Sequence, residues 1–223
     1  MDKLDPSVHI IRTHLEEKLN GFLNGAAGRI AQYRSNRDAA LRRRGTIDER
    51  PQFKHELVAA VGDIPAHVAV PVIFDRNASL INDLQLVKNN ASSLAAALDS
   101  IADWLALNMP QINEENSVGT EVIAGVLEQI QQLSEATRTI VSMPKKYFVE
   151  RAECEKALLK LPESKALQAQ LELVDEEAWD DLERSWRALI RVTLITQSVV
   201  TKNAEILSNP VFDKESAGAA VYF

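Results

Sequence analysis

The side chains that could do chemistry are few, and their spacing argues against most of it. His9, His14, His55 and His67 are the only histidines. A carboxylate-bridged dimetal site in a helical protein needs Glu-x-x-His on two helices, and that pattern occurs nowhere in the chain. His9 and His14 are five residues apart and fall on different faces of a helix, while His55 and His67 sit in a proline-punctuated stretch, so packing and surface roles are expected rather than metal ligation. The acidic run Asp175, Glu176, Glu177, Asp180, Asp181 and Glu183 has neither the glycine turn nor the alternating spacing of a calcium loop and reads as a solvated helical face. No glycine-rich phosphate cradle precedes a helix, which gives ATP no site. Cys154 is the single cysteine, so it forms no internal disulfide and reads as a small buried hydrophobe. No serine or cysteine stands in a recognisable pairing with a base, and Trp104, Trp179 and Trp186 could form an aromatic pocket, though helix packing explains them at least as well. The expectation is a non-catalytic protein with no metal and no cofactor.

Two short stretches remain that look built for recognition. The first runs from Met109 to Thr120 and lacks apolar periodicity; it opens with Pro110, which cannot continue a helix, and displays Asn113, Glu114, Glu115 and Asn116. The second is the tail from Val211, small and flexible through Ala217-Gly218-Ala219-Ala220 and ending on Val221, Tyr222 and Phe223. Three consecutive large side chains at a free carboxylate suit either folding back or docking into another molecule.

The elements that must hold these stretches are helical. Leu80, Leu84, Val87, Ala91, Leu94, Leu98, Ile101 and Leu105 recur at spacings of four and three, predicting a helix from about Asp75 to Asn108. The rhythm resumes with Ile123, Val126, Ile130, Leu133, Thr137 and Ile140, predicting a third helix from Ser117 to Lys160 that bends rather than ends at Pro144. A first helix is expected from Pro6 to about Arg34 through Val8, Ile11, Leu15, Leu19, Phe22, Ala26, Ile30 and Tyr33. A fourth follows the Pro162 turn and runs to about Ser208 before Asn209-Pro210. Residues 35–74, with Arg37, Arg42, Arg43 and Arg44 and scattered prolines and glycines, read as an irregular, partly disordered loop. Its arginines could be a nuclear import signal or an acidic partner's contact, though a solvated loop is the favoured account.

The chain of 223 residues, 46% hydrophobic, is long enough for a sizeable core. A formal net charge of -7 gives no global attraction to nucleic acid or to an acidic membrane. No secretory signal or membrane-spanning run is read, so the expected location is cytoplasm, nucleus or both. Four long helices with short links after the second and third predict an all-α, elongated up-down-up-down bundle, which places the 110–119 loop, the chain start and the end of helix four at one end of the rod.

The motifs in this order resemble the 11S proteasome activators (PA28 or REG). Pro110-x-Ile112 followed by Asn116-x-x-Gly119 is similar to that family's activation loop and lies between the same two helices. Tyr147-Phe148-Val149-x-Arg151-Ala152, Leu161-Pro162, Leu173-Val174-Asp175-Glu176-x-Ala178-Trp179 and Lys202-Asn203-Ala204-Glu205-Ile206-Leu207-x-Asn209-Pro210 extend the likeness from Leu80 onward. The resemblance implies a ring, usually a heptamer, that docks without ATP on the 20S proteasome α-ring through its C-terminal tails and opens the gate to peptides in transit. Carried over by residue, Gln111, Ile112, Asn113, Glu114, Glu115, Asn116, Ser117, Val118 and Gly119 would form the activation loop, and Val221, Tyr222 and Phe223 the proteasome-binding tail. Departures are Glu115, where the family commonly has glycine, and Ser117-Val118 in place of asparagine and an aromatic. A positive φ at position 115 would strain a glutamate. The alternative is a helical scaffold or adaptor that binds a partner through its tail and opens nothing.

Overall fold

The structure is a computed structural model and describes residues 6–45, 78–110 and 117–208. Those residues form α1 (Pro6–Arg44), α2 (Ala78–Asn108), α3 (Ser117–Lys160), α4 (Lys165–Lys202) and a short α5 (Ala204–Ser208), with no strand among them. The apolar periodicity builds the core: Leu80, Leu84, Val87, Leu98, Ile130, Leu182, Trp186 and Leu189 are fully buried, and α1 adds Leu15, Leu19, Phe22 and Tyr33. Each helix packs on its neighbours around the bundle, α1 on α2, α2 on α3, α3 on α4 and α4 on α1, with α2 and α4 also touching across the centre. Below Tyr147 the α3–α4 pair keeps a small core of its own from Cys154, Leu158 and Leu171.

Cross-helix contacts set the directions. Arg43, at the end of α1, grips Asp83 near the start of α2 with bonds of 2.9 and 2.5 Å, so these helices run antiparallel. Ser134 and Arg138 of α3 both reach Asp99 of α2 at 2.7 Å. Between α3 and α4, Tyr147 bonds Asp175 and, toward the start of α3, Met143 receives Ser185. The partner on α4 moves toward its end as α3 is followed toward its beginning. The bundle is therefore up-down-up-down, as its periodicity predicts.

Two boundaries differ from expectation. The first helix does not stop near Arg34: it continues through 35–44, the first ten residues expected to be irregular loop. Two of the arginines responsible for that reading, Arg43 and Arg44, are clamps to other helices, while Arg42 is exposed. Arg37 pairs with Asp38 at 2.8 Å, Arg43 takes the buried Asp83, and Arg44 holds Asp180 at 2.6 Å and Glu176 at 3.5 Å on α4. Three cations also suit the negative end of the helix dipole, and Gly45, with φ 70°, terminates the run in a conformation that costs glycine little. The remainder of the expected loop, 46–74, and the expected start of α2 at Asp75 lie outside the described residues. The last long helix does not run unbroken to Ser208. Asn203 (φ -103°, ψ 7°) interrupts it, its side-chain amide donating to the Val199 carbonyl at 2.8 Å. The third helix begins at Ser117 as its periodicity predicts, so Ser117, Val118 and Gly119, which the resemblance assigns to the activation loop, belong to α3. Pro144 lies within the continuous α3, as expected of a proline that bends rather than ends a helix.

Candidate functional site

The roots of the two recognition stretches are described, and they share one end of the bundle. α2 finishes at Asn108, where the Met109 N–H donates to the Ala106 carbonyl at 3.4 Å, and the chain leaves through Pro110. It returns at Ser117, and Gly119 and Thr120 are already buried against the bundle while Val118 is exposed. α5, from which the tail departs, packs on both α3 and α4 and buries Leu207 in the main core. Because α3 and α4 run antiparallel, the end of α4 stands beside the beginning of α3. Loop and tail therefore leave the same pole.

The root of the loop is polar where periodicity leads one to expect an apolar side chain. Asn108 continues the series Leu94, Leu98, Ile101, Leu105, yet it is only 9% exposed. Its Nδ2 donates to the Trp104 carbonyl at 2.7 Å, and its Oδ1, equally buried, has no partner among the described residues. The indole Nε1 of Trp104, one turn earlier, is buried and likewise has no partner among the described residues. Asn108 was not among the residues singled out from sequence, although a polar residue on an otherwise apolar helix stripe is the signal that marks it.

The strongest electrostatic cluster lies elsewhere. Arg151, 3% exposed, is held between Asp175 and Glu155, and Tyr147 donates to Asp175 at 2.9 Å. Burial, reinforced by the charge of Asp175, pushes the Tyr147 phenol above its ordinary range. Burial opposes the charge on Arg151, but its hydrogen bond to Asp175 outweighs this and raises its pKa. The group locks the register of α3 on α4. Burial likewise raises the pKa of Cys154, an environment that keeps it a protonated thiol. Among the described residues no three His, Cys, Asp or Glu gather as a metal site, and no described helix is long and apolar enough to cross a membrane. An open groove of about 350 Å³ between α3 and α4 has a floor of Ile140 and Met143 and a rim of Lys146, Asp181 and Arg184.

Of the expected site residues, Gln111, Ile112, Asn113, Glu114, Glu115 and Asn116, and the tail residues Val221, Tyr222 and Phe223, lie outside the described residues. Ser117, Val118 and Gly119, which the resemblance assigns to the activation loop, form the first turn of α3, where the periodicity begins that helix.

Comparison with known proteins gives this geometry a context. Residues 73–217 match the family model described as proteasome activator PA28, C-terminal. A curated relative, proteasome activator 28 of Dictyostelium discoideum, is 27% identical over 150 residues, covering 66% of this chain and 67% of the relative. Among solved structures, the 11S subunit of the Plasmodium falciparum proteasome, PA28, superposes with a TM-score of 0.72 at 17% identity, over 95% of this chain and 100% of that one. A chain of the archaebacterial 20S proteasome–PA26 complex gives 0.76 at 17% identity, over 93% and 96%. The structural likenesses speak for the fold, an 11S-type helical bundle.

Proposed function

The chain belongs to the proteasome activator PA28 family, and on that premise we propose that it is an ATP-independent activator of the 20S proteasome, acting as a ring and catalysing nothing itself. The observation that carries this reading is the shared pole: the end of α2, the beginning of α3 and α5, which are the roots of the α2–α3 link and of the tail, lie at one end of the bundle. A single flexible tail makes a weak grip. Several tails on one ring raise one another's effective concentration, by a factor of about 100 or more where the geometry lets them engage together. Gating then requires a contact that differs between the closed and open core. In this reading Val221, Tyr222 and Phe223 supply the grip and the carboxylate, and residues 111–116, with Ser117–Gly119 as their helical root, supply the differential contact. The ring is a homo-oligomer, a heptamer by the family resemblance, working in the cytoplasm or nucleus on peptides that pass through it.

The test is hydrolysis of a short fluorogenic peptide by purified 20S core from the same organism, without ATP. The full chain should accelerate it, and an unaltered rate would contradict the reading. Deleting Tyr222 and Phe223 should abolish association with the core. Asn116→Tyr should leave association intact and remove the stimulation; a variant that binds and still stimulates would take residues 111–116 out of the mechanism.

A further inference from the structure

The groove of about 350 Å³ between α3 and α4 is apolar at its base, from Ala136, Ile140, Met143 and Ala188, and charged along its rim. The rim has donors to spare. Arg184 is paired with Asp181 through one nitrogen of its guanidinium, which carries five N–H groups. Lys146 stands 3.8 Å from Glu150 and 3.9 Å from Asp181, beyond hydrogen-bond reach of either. An apolar floor beneath unspent donors suits an apolar side chain that arrives with an uncharged acceptor beside it.

The chain carries that combination on its other side. The helices follow one another around the bundle, so the α1–α2 side lies opposite the α3–α4 side. On α2, Leu86 is three residues past Asp83, which bonds Arg43 of α1, and so occupies the flank turned toward α1; it is 37% exposed. Asn90, one turn further, donates its Nδ2 to the Leu86 carbonyl at 2.8 Å, which leaves its amide oxygen as an acceptor next to the leucine. Ser93, two turns past Leu86, and Gln32, three turns before Arg43 on α1, are exposed and uncharged, so this flank brings no charge against the rim.

The two patches also stand at one level. Leu84 lines a small cleft with Met143, Lys146 and Asp181, three of the groove's own residues, and Leu86 is about 3 Å further along α2. Different patches on opposite sides of a rod make a heterologous contact, which closes into a ring when repeated around an axis parallel to the rods. We propose that Leu86 of each copy enters the α3–α4 groove of its neighbour, with Asn90 accepting from the groove's cationic rim, and that this contact joins the copies of the ring. The proposal rests on the ring assumed in the activator reading above and gives that ring its contacting surfaces.

The experiment uses the full chain. Leu86→Cys combined with Ala188→Cys is treated with a short bis-maleimide beside each single variant and resolved on a denaturing gel; Cys154 is buried and its thiol kept protonated, so it stays unlabelled. The double variant should give a ladder of linked copies and each single variant only the lone chain. Leu86→Lys, which sets a third cation beside Lys146 and Arg184, should raise the concentration of half-assembly in native mass spectrometry about tenfold or more, with the melting temperature of the dilute chain unchanged, and Leu86→Met should assemble as wild type. Rings that yield no ladder from the double variant overturn the inference, as do Leu86→Lys rings that form at the wild-type concentration, or a lowered melting temperature of the dilute Leu86→Lys chain, which marks a role within the single fold. A wild type that stays a lone chain at every concentration overturns the ring reading itself and is distinguishable from each of these results.

Discussion

Tyr147, Arg151 and Asp175 show how little of the chain's polar chemistry belongs to the site. Asp175 accepts from both the Tyr147 hydroxyl and the Arg151 guanidinium, across the α3–α4 interface. Tyr147→Phe removes the bond donated to Asp175 and a longer one, 3.4 Å, accepted from Arg151, and should cost about 1 to 2 kcal/mol in urea unfolding. Arg151→Leu strands Asp175 and Glu155, both of which retain some contact with water, and a loss of about 3 kcal/mol is expected. The phenol adds a pH dependence of definite sign. Its folded pKa lies above the ordinary 10.0, so the unfolded chain loses that proton first and its contribution to stability is present below pH 10 and lost as pH rises beyond it. Tyr147→Phe should flatten that alkaline decline in melting temperature; an unchanged slope would assign it to other groups. Sequence reading saw Tyr147 and Arg151 as part of a family motif and Asp175 within a solvated acidic face. Their pairing depends on the register of two helices, which periodicity along either one does not specify.

At the scale of elements, α2 and α3 were legible because long runs of apolar residues at three-and-four spacing have no other stable arrangement. α1 was half legible. Its end was misplaced because Arg43 and Arg44 look like solvent-facing charge until Asp83, Asp180 and Glu176, on two other helices, are brought to them. Long-range pairing of this kind leaves no local trace. The glycines of α1 are a separate matter. Gly25 lies beneath the Arg29 guanidinium, which covers the Phe22 ring at 4.4 Å and bonds the Phe22 carbonyl at 2.6 Å. Gly21 and Gly28 have nothing within 4 Å of where a Cβ would stand. Gly28→Ala should therefore raise the stability of the isolated chain by up to about 1 kcal/mol through helix propensity alone. A fall in thermal stability would show that something packs against that face.

For the whole molecule, topology carries the functional account. An antiparallel bundle with an even number of long helices returns its chain to the pole where it began, so an up-down-up-down rod roots the α2–α3 link and the tail at one end. Helix count and link lengths made this readable from sequence. Asn108 and the break at Asn203 were not, since both are polar exceptions within apolar stripes whose consequences appear only once neighbouring helices are in place. A ring of such rods presents all its links and tails to one surface, which is the arrangement needed to grip a cylinder and act on its opening. Electron microscopy of the full chain mixed with 20S core tests this most directly. The account predicts rings seated on the core's end with the α2–α3 links and the α5 ends against the α subunits, and rings seated by the opposite pole, where α3 turns into α4, would contradict it.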